Sequence, residues 1–136
     1  MLLVLLTKPA LGLVTTCGGR ALTPQPLPTY LEPYNDRCLE LTEAALADSS
    51  VRCTRGVRYG DEPHQVLDIW APATGAGGGT GLLPIVFGVH GGGWEFGYPE
   101  WAGFPAQHVC AAPALFITPA YTLGGGGQRQ AWPAMR

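Results

Sequence analysis

The sequence predicts an α/β fold in which an antiparallel hairpin leads into parallel strands joined by a crossover helix. Three observations predict it: a helix-period apolar stripe at 34–48, a two-residue alternation at 51–59, and continuous apolar runs at 83–89 and 114–118. Such runs are typical of strands buried on both faces of a parallel sheet. A helix predicted over 101–112 would join them in a right-handed β-α-β unit.

The composition is that of a globular protein and excludes several functional classes. The chain has 136 residues, of which 46% are hydrophobic and 13% charged, against about 25% charged in an average soluble domain. A net charge of −2 offers no basic patch, so no nucleic-acid partner is expected. No stretch approaches the roughly 18 apolar residues of a membrane span. We expect a cytoplasmic protein, and the apolar start at Met1–Leu6 leaves secretion open.

Residues 1–50 are predicted to form an N-terminal lead that ends in one helix. Three prolines between residues 24 and 28 forbid regular helix in the lead. A helix over 34–48, with Pro33 in its first turn, is expected to bury one face. The apolar residues that share this face are Tyr34, Cys38, Leu39, Leu41, Ala45 and Leu46.

The hairpin is predicted from alternation and turn chemistry. The segment V-R-C-T-R-G-V-R-Y at 51–59 alternates apolar and polar residues, as a half-exposed strand does. A turn at Gly60–Pro63 and a second strand at 65–70 follow, so the two strands should pair antiparallel. Three further residues flank the hairpin and are interpreted as solvated turn and edge residues: Asp61, His64 and Asp68.

The cysteines and histidines predict neither a metal nor a cofactor site. The four cysteines, none of which shares a C-x-x-C motif with another, are Cys17, Cys38, Cys53 and Cys110. We interpret them as buried thiols in a reducing compartment. A metal site built from His90, His108 and Cys110 would lack a fourth ligand. We expect instead that His108 lies on a half-buried helix and that Cys110 is inert.

Three consecutive glycines after the first apolar run indicate a site that can bind a negatively charged oxygen. Residues His90 to Gly97 read H-G-G-G-W-E-F-G. Glycines allow positive φ, so successive N–H groups can face one concavity and bind a negative oxygen. Acyl transfer needs such donors, because its tetrahedral intermediate carries an oxyanion. Glycine clusters at 75–81 and 124–127 are interpreted as flexible loops, and without G-x-G-x-x-G spacing they predict no nucleotide site.

This loop and its surroundings resemble the esterase and lipase branch of the α/β-hydrolases, whose oxyanion loop reads H-G-G-G after the third sheet strand. The similarity covers residues 51–136. YGDEPHQVLDIWAP at 59–72 is similar to the family's hairpin, and LPIVFGVHGGGWEFG at 83–97 to its next strand and loop. ALFITPAYTL at 114–123 is similar to the strand that follows, and WPAM at 132–135 to the start of the next helix. Within the family, small carboxylesterases and arylformamidases are the most similar.

The resemblance implies a role for each residue of the loop. The N–H groups of Gly91, Gly92 and Gly93 would form the oxyanion hole. His90 would brace the loop through a side-chain hydrogen bond, and Trp94 would lie beside the acyl or leaving-group pocket. The implied activity is hydrolysis of a small-molecule carboxylic ester or aryl formamide, without a cofactor or metal.

The chain departs from the family because it lacks the nucleophile motif. It contains no G-x-S-x-G, and its two serines, Ser49 and Ser50, precede the first predicted strand. We therefore expect residues 51–136 to be the N-terminal half of an α/β-hydrolase domain, which ends before the nucleophile elbow.

A missing C-terminal half or a partner chain would then supply the serine, base and acid. The alternative is a catalytically inactive fragment or a non-enzymatic binding remnant. In either case we expect the strand at 114–118 to form an unpaired sheet edge, which would make the chain poorly soluble.

Overall fold

The structure, a computed structural model, describes residues 27–73 and 82–123, together with the backbone of two short strands before them. Those strands, β1 (Thr16–Cys17) and β2 (Arg20–Ala21), pair antiparallel. The remaining elements are α1 (Glu32–Ala47), β3 (Val51–Arg58), β4 (Val66–Pro72), β5 (Ile85–Phe87), α2 (Ala106–Ala111) and β6 (Leu115–Pro119). Short 3-10 helices lie at Thr29–Leu31 and Pro99–Trp101. The loops predicted at 75–81 and 124–127, the WPAM segment and the Cys17 side chain fall outside the described residues.

Four strands form one mixed sheet in the order β3-β4-β6-β5. Strands β3 and β4 pair antiparallel, with Val51 opposite Pro72, so the predicted hairpin is confirmed. Strands β5 and β6 pair parallel, with α2 between them in the chain, so the predicted α/β class is confirmed. The handedness of this crossover stays a prediction.

The edge of the sheet lies at a different strand from the one predicted. Strand β6 pairs with β4 on one side and β5 on the other, so the expectation that residues 114–118 form the open edge is wrong. The edge strands of the described sheet are β3 and β5, and Ile85 and Phe87 of β5 are 54% and 62% exposed. The prediction of a strand buried on both faces at 83–89 is therefore also wrong within the described residues. Its apolar run marks surface that no element in 27–73 or 82–123 covers.

Helix α1 is confirmed within two residues at its start, but the face that it buries is partly polar. The buried residues of α1 are Asn35, Cys38, Thr42 and Ala45. Of the predicted stripe, Tyr34 and Leu46 are exposed, whereas Leu39 and Leu41 are half-buried. The polar residues Asn35 and Thr42 are buried in their place because they form hydrogen bonds to the segment around Pro99–Trp101. The helix also packs on β3 and α2, and the division of the chain at residue 50 stays a prediction.

Helix α2 is shorter than the predicted 101–112. It begins directly after Pro105, because a proline ring and its missing N–H prevent a continuous helix from Trp101 onward. His108 is exposed on this helix, whose Ala106 and Cys110 are buried, so the predicted half-buried helix is confirmed. Cys110 faces the core, and burial raises the pKa of its thiol, as expected of an unreactive cysteine.

The core consists of two apolar clusters along one side of the sheet. One joins Cys38 and Trp101 to Val66 of β4, and the other joins Ala45 and Cys110 to Trp70 and Phe116. Within the described ranges, Cys38, Cys53 and Cys110 are free thiols and no group of side chains has a metal-binding arrangement. The same residues include no helix that is both long and apolar enough to cross a membrane.

Candidate active site

The glycine loop leaves the carboxyl end of β5 and turns back on itself at once. The Gly92 carbonyl accepts hydrogen bonds from the N–H groups of Glu95 (3.1 Å) and Phe96 (3.0 Å). Positive φ values occur at Gly92 (119°), Gly93 (63°) and Trp94 (67°). These left-handed residues reverse the chain within one turn, which a run of ordinary residues would do only with strain.

The three glycines of this loop are constrained differently. A Cβ on Gly92 would lie 2.0 Å from the backbone oxygen of Phe96, so only glycine fits there. A Cβ on Gly91 or Gly93 would meet nothing within 4 Å. Among residues 27–73 and 82–123, no acceptor takes the N–H groups of these three glycines. The N–H groups are therefore available to an oxygen of a ligand.

His90 is buried at the base of the loop and contacts it directly. Its Nδ1 lies 2.8 Å from the carbonyl oxygen of Gly91, a distance at which a protonated Nδ1 donates a hydrogen bond. Burial lowers the pKa of His90 to about 4, so the ring is neutral at physiological pH. A neutral ring can hold the loop without placing a positive charge in the core.

Tyr121 is a neighbour of the loop that the sequence did not single out. Its ring stacks on His90, with 4.4 Å between centroids and 9° between planes, and its hydroxyl donates to the His90 carbonyl at 2.8 Å. It also contacts Trp94, with ring centroids 5.6 Å apart. The available signal was its position: Tyr121 closely follows β6, whose carboxyl end lies beside that of β5.

The prediction that Asp68 is a solvated turn or edge residue is wrong. It is 1% exposed, because it lies on the same face of β4 as Val66 and Trp70, which belong to the core. Its Oδ1 accepts the Gly56 N–H (2.9 Å) and its Oδ2 accepts the Arg55 Nε–H (3.2 Å). Arg55 in turn forms an ion pair with Glu100, beyond the glycine loop. Asp61 is exposed as predicted, and His64 is half-buried.

The two serines lie at the end of the sheet opposite to the glycine loop. They precede β3, whose first residue, Val51, pairs with Pro72 at the end of β4. The loop follows β5 at the other end, where Leu67 of β4 pairs with Pro119 of β6. Neither Ser49 nor Ser50 is therefore placed to attack a carbonyl bound at the loop.

Comparison with known proteins shows short matches to methylesterases. No protein-family model matches the chain. It is 38% identical over 52 residues to isoprenylcysteine alpha-carbonyl methylesterase ICME of Arabidopsis thaliana. It is 40% identical over 60 residues to the probable isoprenylcysteine alpha-carbonyl methylesterase ICMEL1 of Oryza sativa subsp. japonica. These matches cover 38% and 44% of this chain but only 11% and 13% of the relatives.

Solved structures show the same fold over a larger part of the chain. Esterase B from Lactobacillus rhamnosis aligns with a TM-score of 0.50 and 21% identity, over 69% of this chain and 31% of that chain. A putative thioesterase from Silicibacter sp. TM1040 aligns with a TM-score of 0.50 and 23% identity, over 70% of this chain and 35% of that chain. The fold is that of part of an α/β-hydrolase, and over stretches of 52 and 60 residues the chain is similar to methylesterases.

Proposed function

We propose that the polypeptide containing this chain hydrolyses carboxylic esters and that the N–H groups of Gly91–Gly93 bind the oxyanion of the tetrahedral intermediate. The loop itself carries the proposal. It is braced at His90, it takes positive φ at Gly92 and Gly93, and its glycine N–H groups find no acceptor in the described part of the chain. The methylesterase relatives support the same reaction class.

In the proposed reaction, a nucleophilic hydroxyl adds to the ester carbonyl carbon while a base takes the hydroxyl proton. The carbonyl π electrons move onto its oxygen, which becomes negative and lies against the glycine N–H groups. One preorganised donor of this kind contributes about 2.7–4 kcal/mol to the transition state. The serine, base and acid would come from outside residues 1–136, because the only serines here, Ser49 and Ser50, lie at the opposite end of the sheet.

The surface beside the loop favours an ester with an apolar group. Trp94 is 37% exposed and packs against Tyr121, so a planar or aliphatic substrate group can contact the indole next to the oxyanion site. Aryl formamides pass through the same kind of oxyanion and are the second substrate class to assay.

The test uses the complete gene product that includes residues 1–136. We expect turnover of p-nitrophenyl acetate or butyrate, and the same assay on an aryl formamide separates the two substrate classes. Gly92→Ala should lower kcat by about 10²-fold or more while KM changes less, because the donors act mainly in the transition state.

Ser49→Ala is the matched control and should keep wild-type rates, since this residue lies away from the loop. An unchanged kcat in Gly92→Ala would contradict the role of the loop. Absence of turnover for every ester and formamide would favour the inactive remnant instead.

A further inference from the structure

The 3-10 helix Pro99–Trp101 directly follows the glycine loop and is tied to α1. The Thr42 hydroxyl donates to the Glu100 carbonyl oxygen at 2.8 Å, and the Trp101 indole N–H donates to Asn35 Oδ1 at 3.0 Å. The Tyr98 hydroxyl also donates to Asn35 Oδ1. All residues of this segment are buried, so these bonds form away from competing water.

The Glu100 side chain ties the same segment to the sheet. It accepts a hydrogen bond from Arg55, whose Nε–H also donates to Asp68. Glu100 and Asp68 are both more than nine-tenths buried, whereas Arg55 is one-third exposed. The Arg55 guanidinium thus links the Pro99–Trp101 segment to β4.

The Glu100 carboxyl is itself almost fully buried. Within the described chain, its Oε2 is buried and has no hydrogen-bond partner. Burial raises the pKa of Glu100, although the nearby Arg55 works in the opposite direction. The remaining titratable group nearby is Cys53, whose thiol pKa is raised to about 12 by burial. The α1 residue that faces Glu100, Thr42, is uncharged.

The anchored segment lies directly behind the residue that holds the loop. The Trp101 ring meets the His90 ring edge-on, with centroids 6.5 Å apart and an interplanar angle of 82°. A Cβ on Gly97 would lie 2.3 Å from His90 Nδ1 and 2.7 Å from the Gly91 carbonyl oxygen. With so little space, a shift of this segment would displace the His90 ring and the hydrogen bond from it to the loop.

We propose that Glu100, bonded to Arg55, is a positioning residue that holds the segment Gly97–Trp101 against His90 and thereby keeps the oxyanion loop in its binding conformation. The inference rests on the proposed function of the loop. Glu100 itself does not touch the substrate. It acts through Trp101, Gly97 and His90.

The test compares Glu100→Ala with Glu100→Gln. Glutamine has the same length and keeps an oxygen that can accept a hydrogen bond from Arg55. We expect Glu100→Ala to speed hydrogen exchange of the amides in 90–97 by about 10-fold relative to the amides of β4. In the complete gene product it should lower kcat by about 10-fold or more with little change in KM, because a loosened donor array is misplaced in the transition state. Glu100→Gln should restore both values.

Two further variants keep the test decisive. Glu43→Ala, at an exposed position on α1 next to Thr42, should match wild type in both measurements. If Glu100→Ala does not fold, Arg55→Met removes the same ion pair from a partly exposed position and should loosen the same amides.

The outcomes distinguish the positioning role of Glu100 from the proposed hydrolase function. A uniform loss of protection along the chain in Glu100→Ala, or no rescue by glutamine, would overturn the positioning role. Loosening confined to 90–97 in a gene product that hydrolyses no ester would support the positioning role and remove the proposed function.

Discussion

Different physical constraints act on the residue type at neighbouring positions of the glycine loop. Gly92 is required because its φ of 119° suits no other residue and because the Phe96 backbone occupies the space of a side chain. Gly91 has open space where a side chain would go. Trp94 takes a left-handed φ despite its side chain and packs its ring on Tyr121. The loop therefore holds some strain that its packing must offset.

Alanine substitutions at two adjacent positions should separate these constraints. Gly92→Ala should lower the free energy of unfolding by about 2 kcal/mol or more, because it adds both backbone strain and a steric clash. Gly91→Ala should change it by less than about 0.5 kcal/mol. Urea denaturation followed by tryptophan fluorescence measures both values. Equal effects would mean that the loop is loose and that its conformation is not held.

His90 should make stability depend on acid pH. Its pKa of about 4 in the folded chain lies below the ordinary value of 6.5, so the folded state favours the neutral ring. The resulting stabilisation is present above about pH 6.5 and is lost as pH falls towards 4, with a total of about 3 kcal/mol. His90→Asn should flatten this part of the curve of unfolding free energy against pH. His108→Asn, at an exposed position, should leave it unchanged, and identical slopes in both variants would contradict the burial of a neutral His90.

At the scale of secondary structure, β5 is the strand of the described sheet whose side chains are least covered by other elements. It pairs on one side with β6, and its Ile85, Val86 and Phe87 are all exposed. An apolar edge strand offers unpaired backbone groups and apolar side chains to another chain. The predicted tendency to associate thus belongs to β5 rather than to the strand at 114–118.

A charge on β5 should reduce self-association of the isolated chain. We expect residues 1–136 to associate at micromolar concentration and Phe87→Lys to shift the sedimentation velocity profile towards monomer, since lysine at a strand edge opposes pairing. Tyr30→Lys introduces the same charge at a residue that is 76% exposed outside the sheet. An equal shift in both variants would assign the effect to net charge, and a wild-type chain that is fully monomeric would contradict the prediction.

For the whole molecule, the sheet topology separates the serines from the oxyanion loop. Because the hairpin places the start of β3 beside the end of β4, the turn with Ser49 and Ser50 lies at the end of the sheet away from Gly91–Gly93. A triad needs its nucleophile within hydrogen-bond reach of a base and beside the oxyanion hole. Residues 1–136 alone should therefore not hydrolyse esters.

A fluorophosphonate probe tests this directly. Intact mass spectrometry should show no adduct on residues 1–136 and one adduct on the complete gene product. Stoichiometric labelling of the short chain that disappears in Ser49→Ala or Ser50→Ala would overturn the assignment of the nucleophile to another part of the polypeptide.

Features that depend on neighbours along the chain were predictable. The 3.6-residue period predicted α1, the alternation at 51–59 predicted β3, and the glycine run predicted a loop after β5. Each signal lies within one element, where backbone geometry alone sets the spacing of the side chains. The α/β class followed from the order of these elements, and the motif around His90 carried the resemblance to the α/β-hydrolases.

Features that depend on long-range pairing were decided only in three dimensions. Strand β6 enters the sheet between β4 and β5, which leaves β5 at an edge, and Asp68 is buried because it lies on the core face of β4. The tertiary fold also brings Arg55 to Glu100 and Tyr121 to His90, although these residues are far apart in the sequence. An apolar run or a lone carboxylate in the sequence does not show which partner will cover it, because burial depends on the residues that meet it across the sheet.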